Sequence, residues 1–252
     1  MAAALASLFA GCTFDGAPSS SSESDAPPAN GGADAGDLEA DAAPTATCTP
    51  LPVGALAWWD GEILGVDRLG AFPTGTFFES PSVEPGLVGN AMLLEEDEDI
   101  IFDPAPVSAQ FTVEGWIRRD KDDVDYMTVY GNGDEAGLFL QNHRLVYYDE
   151  LAGGNALVGN TTLSIATYYH IAVTYDGVTL TLYLDGTKDS ATTGAAVSLP
   201  VVGRVGGVLF GVGDGDGNDF VGHVDELTVY ARALLNTEIA DIAAAGALGK
   251  CK

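Results

Sequence analysis

Basic residues are scarce in this chain. Its 252 residues include 10 Lys and Arg against 37 Asp and Glu, which gives a formal net charge of −27 at pH 7. Such a surface repels phosphate backbones and anionic lipid headgroups, so the composition argues against nucleic-acid binding. Exposed carboxylates either keep a protein soluble or bind divalent cations, and composition alone does not separate these two roles.

Histidine and long apolar runs are also rare. The three histidines, His143, His170 and His223, lack the paired spacing of zinc ligands. The chain has no Gly-x-Ser-x-Gly segment and no Cys–His arrangement, so a hydrolytic triad is not predicted. No stretch reaches the ~18–20 apolar residues that a membrane-spanning helix needs.

The N-terminus carries a motif of its own. Residues 1–10 are small and apolar, and Phe9-Ala-Gly-Cys12 resembles a bacterial lipobox, whose cysteine receives the lipid. This resemblance predicts an export signal over residues 1–12, with Cys12 as the lipidation site. The protein would then lie in the cell envelope or at the outer surface, and a lipid anchor would be its only membrane contact. The alternative is an apolar N-terminus with a cysteine at this place by chance.

Residues 13–47 have the composition of a tether. They contain Ser19–Ser22, Pro27-Pro28 and Gly31-Gly32, and all of their charged residues are acidic. Without apolar periodicity, such a segment buries too little surface to offset its ordering entropy, so we predict disorder. From residue 48 to residue 252 the composition changes to that of one folded domain.

Short β-rich runs separated by Gly, Asn and Asp make up the folded region. Asp176-Gly177 and Asp185-Gly186 separate three of these runs. An Asp-Gly pair between β-rich runs is a strong signal for a hairpin with a two-residue turn at positive φ. Many short strands with almost no helical periodicity predict an all-β sandwich or barrel.

Two local predictions concern single elements. In Phe111–Ile117, alternation together with a bulge at Gly115 would direct Trp116 toward the core, and Trp58 and Trp59 are also predicted to be buried. One helix is predicted over residues 238–245, with Asn236 or Thr237 as its cap and Gly246 as its end.

Five motifs in order give the chain its family resemblance. They resemble the strands of LamG-like domains, which are jelly rolls of the concanavalin A-like lectin/glucanase superfamily, and the similarity runs from about residue 56 to residue 245. The resemblance implies an all-β fold of two packed antiparallel sheets with jelly-roll topology. The motifs are Gly86-Leu-Val-Gly-Asn-Ala91, Phe111-Thr-Val-Glu-Gly-Trp116, Tyr169-His-Ile-Ala-Val-Thr-Tyr-Asp-Gly177, Leu182-Tyr-Leu-Asp-Gly186 and Gly222-His-Val-Asp-Glu-Leu-Thr-Val-Tyr230.

Cys48 and Cys251 flank the domain at its two ends. In a sandwich whose terminal strands lie side by side, the two sulfurs meet, and export would place them in an oxidising compartment. We therefore expect a Cys48–Cys251 disulfide. The alternative is a pair of free thiols in a cytosolic protein.

Calcium is the predicted cofactor, at one of two places. Asp214, Asp216 and Asn218 have the oxygen spacing of a calcium loop, and Asp225 would supply a further ligand. The family resemblance implies a different site, in which Asp60 and Asp67 join Asp225. The alternative for both sets is that Asp and Gly are simply turn residues.

The predicted function is non-catalytic recognition of a glycan or an extracellular protein at the cell surface. Exposed aromatic side chains with polar neighbours are the usual sugar platforms, and Asn142, Tyr147 and Tyr148 are the candidates, together with Tyr126. A structural module without a specific ligand is the alternative. A glycoside hydrolase is the third choice, because the acidic run Glu95–Asp99 is expected in an exposed turn rather than along a strand in a cleft.

Overall fold

The structure is a computed structural model, and it describes residues 47–106, 108–122, 127–132, 136–150, 153–194, 197, 203–205 and 219–252. The predicted signal and nearly all of the predicted tether, with Cys12, lie outside the described residues. The same is true of Asp214, Asp216, Asn218 and Tyr126. In the described part, no helix is long and apolar enough to cross a membrane.

Two antiparallel sheets form the domain, which confirms the predicted all-β sandwich. The first, sheet A, has the order β13-β12-β11-β6-β15-β4-β3 with β1 paired to β15, and the second, sheet B, has the order β10-β9-β8-β7-β14-β5-β2. The strands are β1 (Ala55–Trp59), β2 (Thr76–Phe78), β3 (Ser82–Pro85), β4 (Asn90–Leu94), β5 (Asp99–Phe102), β6 (Phe111–Arg119), β7 (Met127–Asn132), β8 (Ala136–Gln141), β9 (Arg144–Asp149), β10 (Gly154–Thr162), β11 (Tyr168–Tyr175), β12 (Thr179–Leu184), β13 (Thr187–Thr193), β14 (Gly203–Val205) and β15 (Gly222–Tyr230).

Aromatic pairs join the two sheets across the core. Trp59 of sheet A stacks on Phe102 of sheet B with ring centroids 4.0 Å apart. Phe111 of sheet A lies 5.8 Å from Tyr147 of sheet B. Burial of such large rings provides much of the hydrophobic free energy of a sandwich, because each removes a large apolar area from water.

The predicted bulge lies in a different strand. In the pairing of β15 with β6, Asp225 is opposite Trp116 and Thr228 is opposite Glu114, so Glu226 and Leu227 share one position on the partner strand. The extra residue therefore belongs to β15, where Glu226 has a φ of 57°. The prediction of a bulge at Gly115 that turns Trp116 inward is wrong.

Strand β6 instead alternates without interruption. Phe111, Val113 and Ile117 belong to the core between the sheets. Trp116 is buried on the opposite face of sheet A, where its ring lies edge-on to His170 at 5.2 Å. We call this opposite side the outer face of sheet A.

Only one of the two Asp-Gly turns has the predicted form. Asp185 (φ 47°) and Gly186 (φ 74°) make the two-residue turn between β12 and β13. The loop between β11 and β12 has three residues, and there only Gly177 has positive φ. The Asp176 carboxylate accepts hydrogen bonds from the amides of Val178 and Thr179, at the start of β12, so the Asp176 side chain closes this turn.

Helix α1 (Asn236–Ala245) covers part of the outer face of sheet A. Its Ile239 and Ile242 pack into a second apolar cluster with Tyr183 and Tyr230. Neither predicted cap is used. The Glu238 carboxylate accepts the Leu235 amide at 2.8 Å, while Asn236 accepts the Tyr183 hydroxyl. Gly246 ends the helix as predicted, with a φ of 52°.

The Cys48–Cys251 disulfide is present, with Cα atoms 5.0 Å apart, so the predicted link is confirmed. The amide of Thr49 donates to Gly249, and the amide of Cys251 donates back to Thr49. The two ends of the described domain are thus held together by a covalent bond and by a short ladder of hydrogen bonds.

Candidate functional site

The predicted sugar residues on sheet B do not form one exposed platform. Tyr147 is buried in the core against Phe111, so the prediction that it binds a ligand from solvent is wrong. The reason is alternation, because adjacent strand residues face opposite sides of a sheet. Tyr148 is half-buried and lies edge-on to Phe139, and Asn142 is exposed in the β8–β9 turn with a φ of 49°. Ligand binding by Asn142 and Tyr148 stays a prediction.

The three predicted calcium ligands outside the loop are separately engaged. The Asp67 carboxylate accepts four backbone amides, those of Trp58, Leu69, Ala71 and Phe72, and thereby shapes the turn after β1. Asp60 forms an ion pair with Arg68 at 2.9 Å. These bonds use the oxygen lone pairs that a calcium ion would need.

An ammonium group already lies among carboxylates at this edge of sheet A. The Lys252 Nζ atom is 2.6 Å from Glu62 and 3.5 Å from both Asp60 and Glu226. Among the described residues, no group of three or more His, Cys, Asp or Glu is arranged to hold a metal ion. The set Asp60, Asp67 and Asp225 therefore does not form one cage of oxygens in this arrangement, and calcium binding stays a prediction.

The acidic run that raised the question of a glycosidase occupies a turn. Glu95, Glu96 and Asp97 are exposed, and β5 begins only at Asp99. The exposed turn is where the sequence analysis expects this run, and its carboxylates do not alternate along one strand as those of a glucanase cleft would. These residues therefore supply no carboxylate pair of the kind that glycoside hydrolysis requires.

Sequence reasoning missed a cluster on the outer face of sheet A. The register places Tyr168, Arg118 and His223 side by side on β11, β6 and β15. Arg118 holds Asp120 through two hydrogen bonds of 2.9 and 2.8 Å, and His223 Nδ1 lies 3.0 Å from the same carboxylate. The Arg118 guanidinium also lies 5.5 Å from the centre of the Tyr168 ring. Together with Asp225, these four residues are called the outer-face cluster.

Asp225 lies in the adjacent row of the sheet, opposite Trp116. Its Oδ2 atom accepts the amides of Leu87 and Val88 at 2.9 and 2.8 Å. Burial, with a contribution from neighbouring Glu226, raises the pKa of Asp225 to about 7. The side chain is fully buried, so its carboxyl group is held in one orientation.

Two polar atoms of the outer-face cluster have no hydrogen-bond partner among the residues that the structure describes. They are Asp225 Oδ1 and the hydroxyl of Tyr168, and both atoms are buried. Burial raises the pKa of Tyr168 to about 12, and the charge of Asp225 acts in the same direction. A buried polar atom without a partner costs about 1–3 kcal/mol, so a hydrogen-bond donor or acceptor that reached either atom after a small local movement would be stabilised there.

A buried ion pair limits the extent of this surface. Lys250 Nζ donates to Glu114 Oε1, to the Glu226 carbonyl and to Thr228 Oγ1, each at 2.8 Å. His170 Nε2 lies 3.0 Å from the other oxygen of Glu114. Glu114, Lys250 and His170 are all buried. Along β6, the accessible part of the outer face therefore ends at Trp116, because the next residue on that face is covered.

The chemistry of the outer-face cluster suits the binding of polyhydroxylated molecules. A carboxylate, a guanidinium and an imidazole present fixed donors and acceptors, and an aromatic ring lies beside them. Specific sites commonly combine a few such placed polar groups with aromatic surface. No local pattern in the sequence reveals the cluster, because its members are joined only by strand register.

Comparison with known proteins identifies solved structures that share this fold. No curated protein sequence matches the chain. Among solved structures, domain 4 of AbnA, a GH43 extracellular arabinanase from Geobacillus stearothermophilus in complex with arabinotriose, has a TM-score of 0.62 at 18% identity. The match covers 75% of this chain and 98% of that domain.

Two further similar structures have different activities. The binding domain of Paraclostridial Mosquitocidal Protein 1 has a TM-score of 0.58 at 19% identity, over 76% of this chain and 51% of that one. The Trypanosoma rangeli sialidase, solved with 2,3-difluorosialic acid as a covalent intermediate, has a TM-score of 0.55 at 16% identity, over 78% and 35%. At these identities the likeness shows the fold alone, which binding domains and glycosidases share.

A family model decides the assignment. The model described as the Concanavalin A-like lectin/glucanases superfamily matches residues 95–240, which is more than half of the chain. This stretch runs from the turn before β5 through β15 into α1 and includes all five residues of the outer-face cluster. The chain therefore belongs to the concanavalin A-like lectin/glucanases superfamily.

Proposed function

We propose that this protein is a non-catalytic recognition module that binds a neutral glycan through the outer-face cluster. The observation that carries the proposal is the partly exposed Arg118–Asp120 pair beside the half-buried Tyr168, whose hydroxyl has no hydrogen-bond partner among the described residues. Sugar hydroxyl groups both donate and accept hydrogen bonds, so one ligand group serves either kind of atom.

The charge of the site favours a neutral ligand. Arg118 is the one cation of the outer-face cluster and is already paired with Asp120, while Asp225 adds a further carboxyl group. The whole chain carries a formal charge of −27. Sialylated or sulfated glycans would meet repulsion both locally and at long range.

The similar structures are consistent with glycan binding. Domain 4 of the arabinanase was solved with arabinotriose, and the mosquitocidal protein fragment is a binding domain. Both share the sandwich with this chain at identities of 18% and 19%. They support a binding role at a coarse level, and the outer-face cluster supports the particular surface.

The test uses an array of neutral oligosaccharides that includes arabinotriose, followed by calorimetric titration of the best binder. Tyr168→Phe removes one unpartnered hydroxyl and should weaken binding by about tenfold, or ~1.4 kcal/mol. Tyr148→Phe also removes a tyrosine hydroxyl, but on sheet B, and should bind like the wild type. Equal binding by Tyr168→Phe, or loss of binding in Tyr148→Phe alone, contradicts the choice of surface. Binding of a protein and no glycan contradicts the ligand class.

We further propose that the domain is exported and held at a membrane through a lipid on Cys12. The support is the lipobox-like segment before a tether-like stretch. Cys12→Ala should move the protein from the membrane fraction to the soluble fraction. A wild-type protein that incorporates no palmitate analogue during metabolic labelling would contradict the anchor and leave the glycan proposal intact.

A further inference from the structure

A cavity of about 310 Å³ lies between α1 and the β12–β13 turn. Alanines of α1 line its helix side, and Trp116 with the residues of the turn lines its opposite side. The residues that matter for its chemistry are Trp116, Asp185, Gly186, Thr187, Ala240 and Ala243. The outer-face cluster and the predicted calcium ligands are not part of this lining.

The cavity has a rigid frame. Gly186 has a φ of 74°, and a Cβ atom there would lie 2.9 Å from the Ala243 methyl and 3.0 Å from the Ala240 Cα. The turn therefore touches the helix backbone as closely as a glycine allows. Asp185 Oδ1 accepts the His170 amide at 2.9 Å, and Trp116 packs edge-on against the His170 ring. The frame holds the indole and the carboxylate in place without a ligand.

Trp116 connects this cavity to the outer-face cluster. Trp116 and Arg118 lie two residues apart on β6, so they share one face and their Cα atoms are ~6.6 Å apart. Trp116 is also opposite Asp225 across the sheet. On the other side of Trp116 the surface is closed, because Glu114 is fully buried beneath Lys250. The cavity is therefore one end of the accessible surface.

We infer that this cavity binds a terminal residue of a neutral oligosaccharide, whose next residue lies on the outer-face cluster. The inference rests on the proposed function and specifies the form of its ligand. The indole of Trp116 and the methyl groups of Ala240 and Ala243 contact the apolar C–H face of the sugar ring. The Asp185 carboxylate and the Thr187 hydroxyl receive its hydroxyl groups.

The volume of the cavity and the charges around it restrict further which sugars it can bind. Small-molecule sites range from about 300 to 1,000 Å³, so the cavity has room for one ring rather than for several. The last turn of α1 contains no basic residue, and Asp185 lies at the rim. The C-terminal end of a helix carries partial negative charge, so an anionic terminal sugar is disfavoured here.

Filling the cavity tests the inference. Ala243→Leu places a larger side chain inside it and should weaken binding of the array-selected oligosaccharide by about tenfold or more. Ala247→Leu is the matched control, because Ala247 is exposed in the turn after the helix and does not line the cavity. It should bind like the wild type. Melting curves of both variants show whether the fold is retained.

A second variant covers the case in which Ala243→Leu does not fold. Thr187→Val keeps the shape of an exposed rim residue and removes its hydroxyl, so it should lower affinity about threefold to tenfold. If the wild type binds no neutral oligosaccharide, the proposed function fails. If the wild type binds and both cavity variants bind equally well, only the cavity assignment is overturned. A sialylated form that binds as tightly as the neutral one also overturns it.

Discussion

At the scale of single residues, Glu114 illustrates how a charge is held in an apolar environment. Its side chain is fully buried and accepts hydrogen bonds from Lys250 and from the Tyr230 hydroxyl. Burial by itself raises the pKa of Glu114, but the Lys250 ammonium and His170 outweigh burial and lower that pKa to about 2. The carboxylate is thus ionised in the folded protein at neutral pH.

This lowered pKa predicts acid sensitivity. The folded pKa of Glu114 is about 2 against an ordinary value of 4.5, so its contribution to stability is present above pH 4.5 and is lost as the pH falls toward 2. The difference corresponds to roughly 3 kcal/mol. Urea unfolding of the wild type and of Glu114→Gln, from pH 7 to pH 2, measures it. The wild type should lose stability more steeply, and parallel curves would contradict this account of Glu114.

Calcium gives a second prediction at the residue scale. A calcium ion that binds only the folded state adds ~2.7 kcal/mol at a hundredfold excess over its dissociation constant. Melting in calcium and in chelator should therefore differ for the wild type but not for Asp225→Asn. Asp216→Asn abolishes the effect only if the loop of residues 214–218 holds the ion. An equal melting temperature with and without millimolar calcium would show that these aspartates serve only the protein's own hydrogen bonds.

At the scale of elements, the contact between α1 and the β12–β13 turn positions the candidate cavity. Gly186 allows the approach, and the Tyr183 hydroxyl donates to Asn236 at 2.6 Å near the start of the helix. Arg232 lies just before α1 and donates two hydrogen bonds, of 2.7 and 2.6 Å, to the Glu238 carboxylate in the first turn of the helix. The helix is thus tied to sheet A at several points along its length.

Gly186 and Gly194 have nearly equal φ, so comparing alanine substitutions at the two positions separates the cost of backbone strain from the cost of a steric clash with the helix. Gly186 has a φ of 74° and lies against α1, whereas Gly194 has a φ of 76°, and a methyl group added there would meet no heavy atom of the described residues within 4 Å. Gly194→Ala should cost about 1–2 kcal/mol from the left-handed backbone alone. Gly186→Ala should cost about 1–3 kcal/mol more, because the helix must shift. Urea unfolding compares the two, and equal losses would show that the turn and the helix are not tightly packed.

At the scale of the whole molecule, the disulfide closes a loop across the entire domain. Cys48 and Cys251 are 203 positions apart. In the chain-entropy model, closure of such a loop stabilises the fold by about 5 kcal/mol, and measured values are commonly smaller. The bond also holds the segment that carries Lys250, whose ammonium compensates Glu114.

Cys251→Ser should therefore lower the free energy of unfolding by about 2–5 kcal/mol. Chemical unfolding with and without reductant provides the measurement. The wild type should respond to reductant and Cys251→Ser should not. Cys12→Ser is the control, because Cys12 is not part of the bridge, and it should behave like the wild type. A reductant response in Cys251→Ser, or none in the wild type, would contradict the role of this bond.

The sequence by itself determined the class of fold and the positions of several of its turns and of the helix end. Alternating β-rich runs, the Asp185-Gly186 turn and the Gly246 helix end depend on φ preferences and on side-chain alternation over a few residues. The two terminal cysteines were interpretable as well, because their positions at the domain ends allow only one partner inside the domain. The exposed acidic turn before β5 was expected from the family resemblance.

Tertiary structure alone decided which face each strand presents and which residues meet there. The bulge lies in β15 and not in β6, so β6 alternates without interruption and Trp116 faces outward, and the same alternation along β9 buries Tyr147. Lys250 reaches Glu114 across 136 positions of sequence, and Tyr168, Arg118 and His223 come together only through strand register. A one-residue change in register exchanges the two faces of a strand, so no local pattern specifies these contacts.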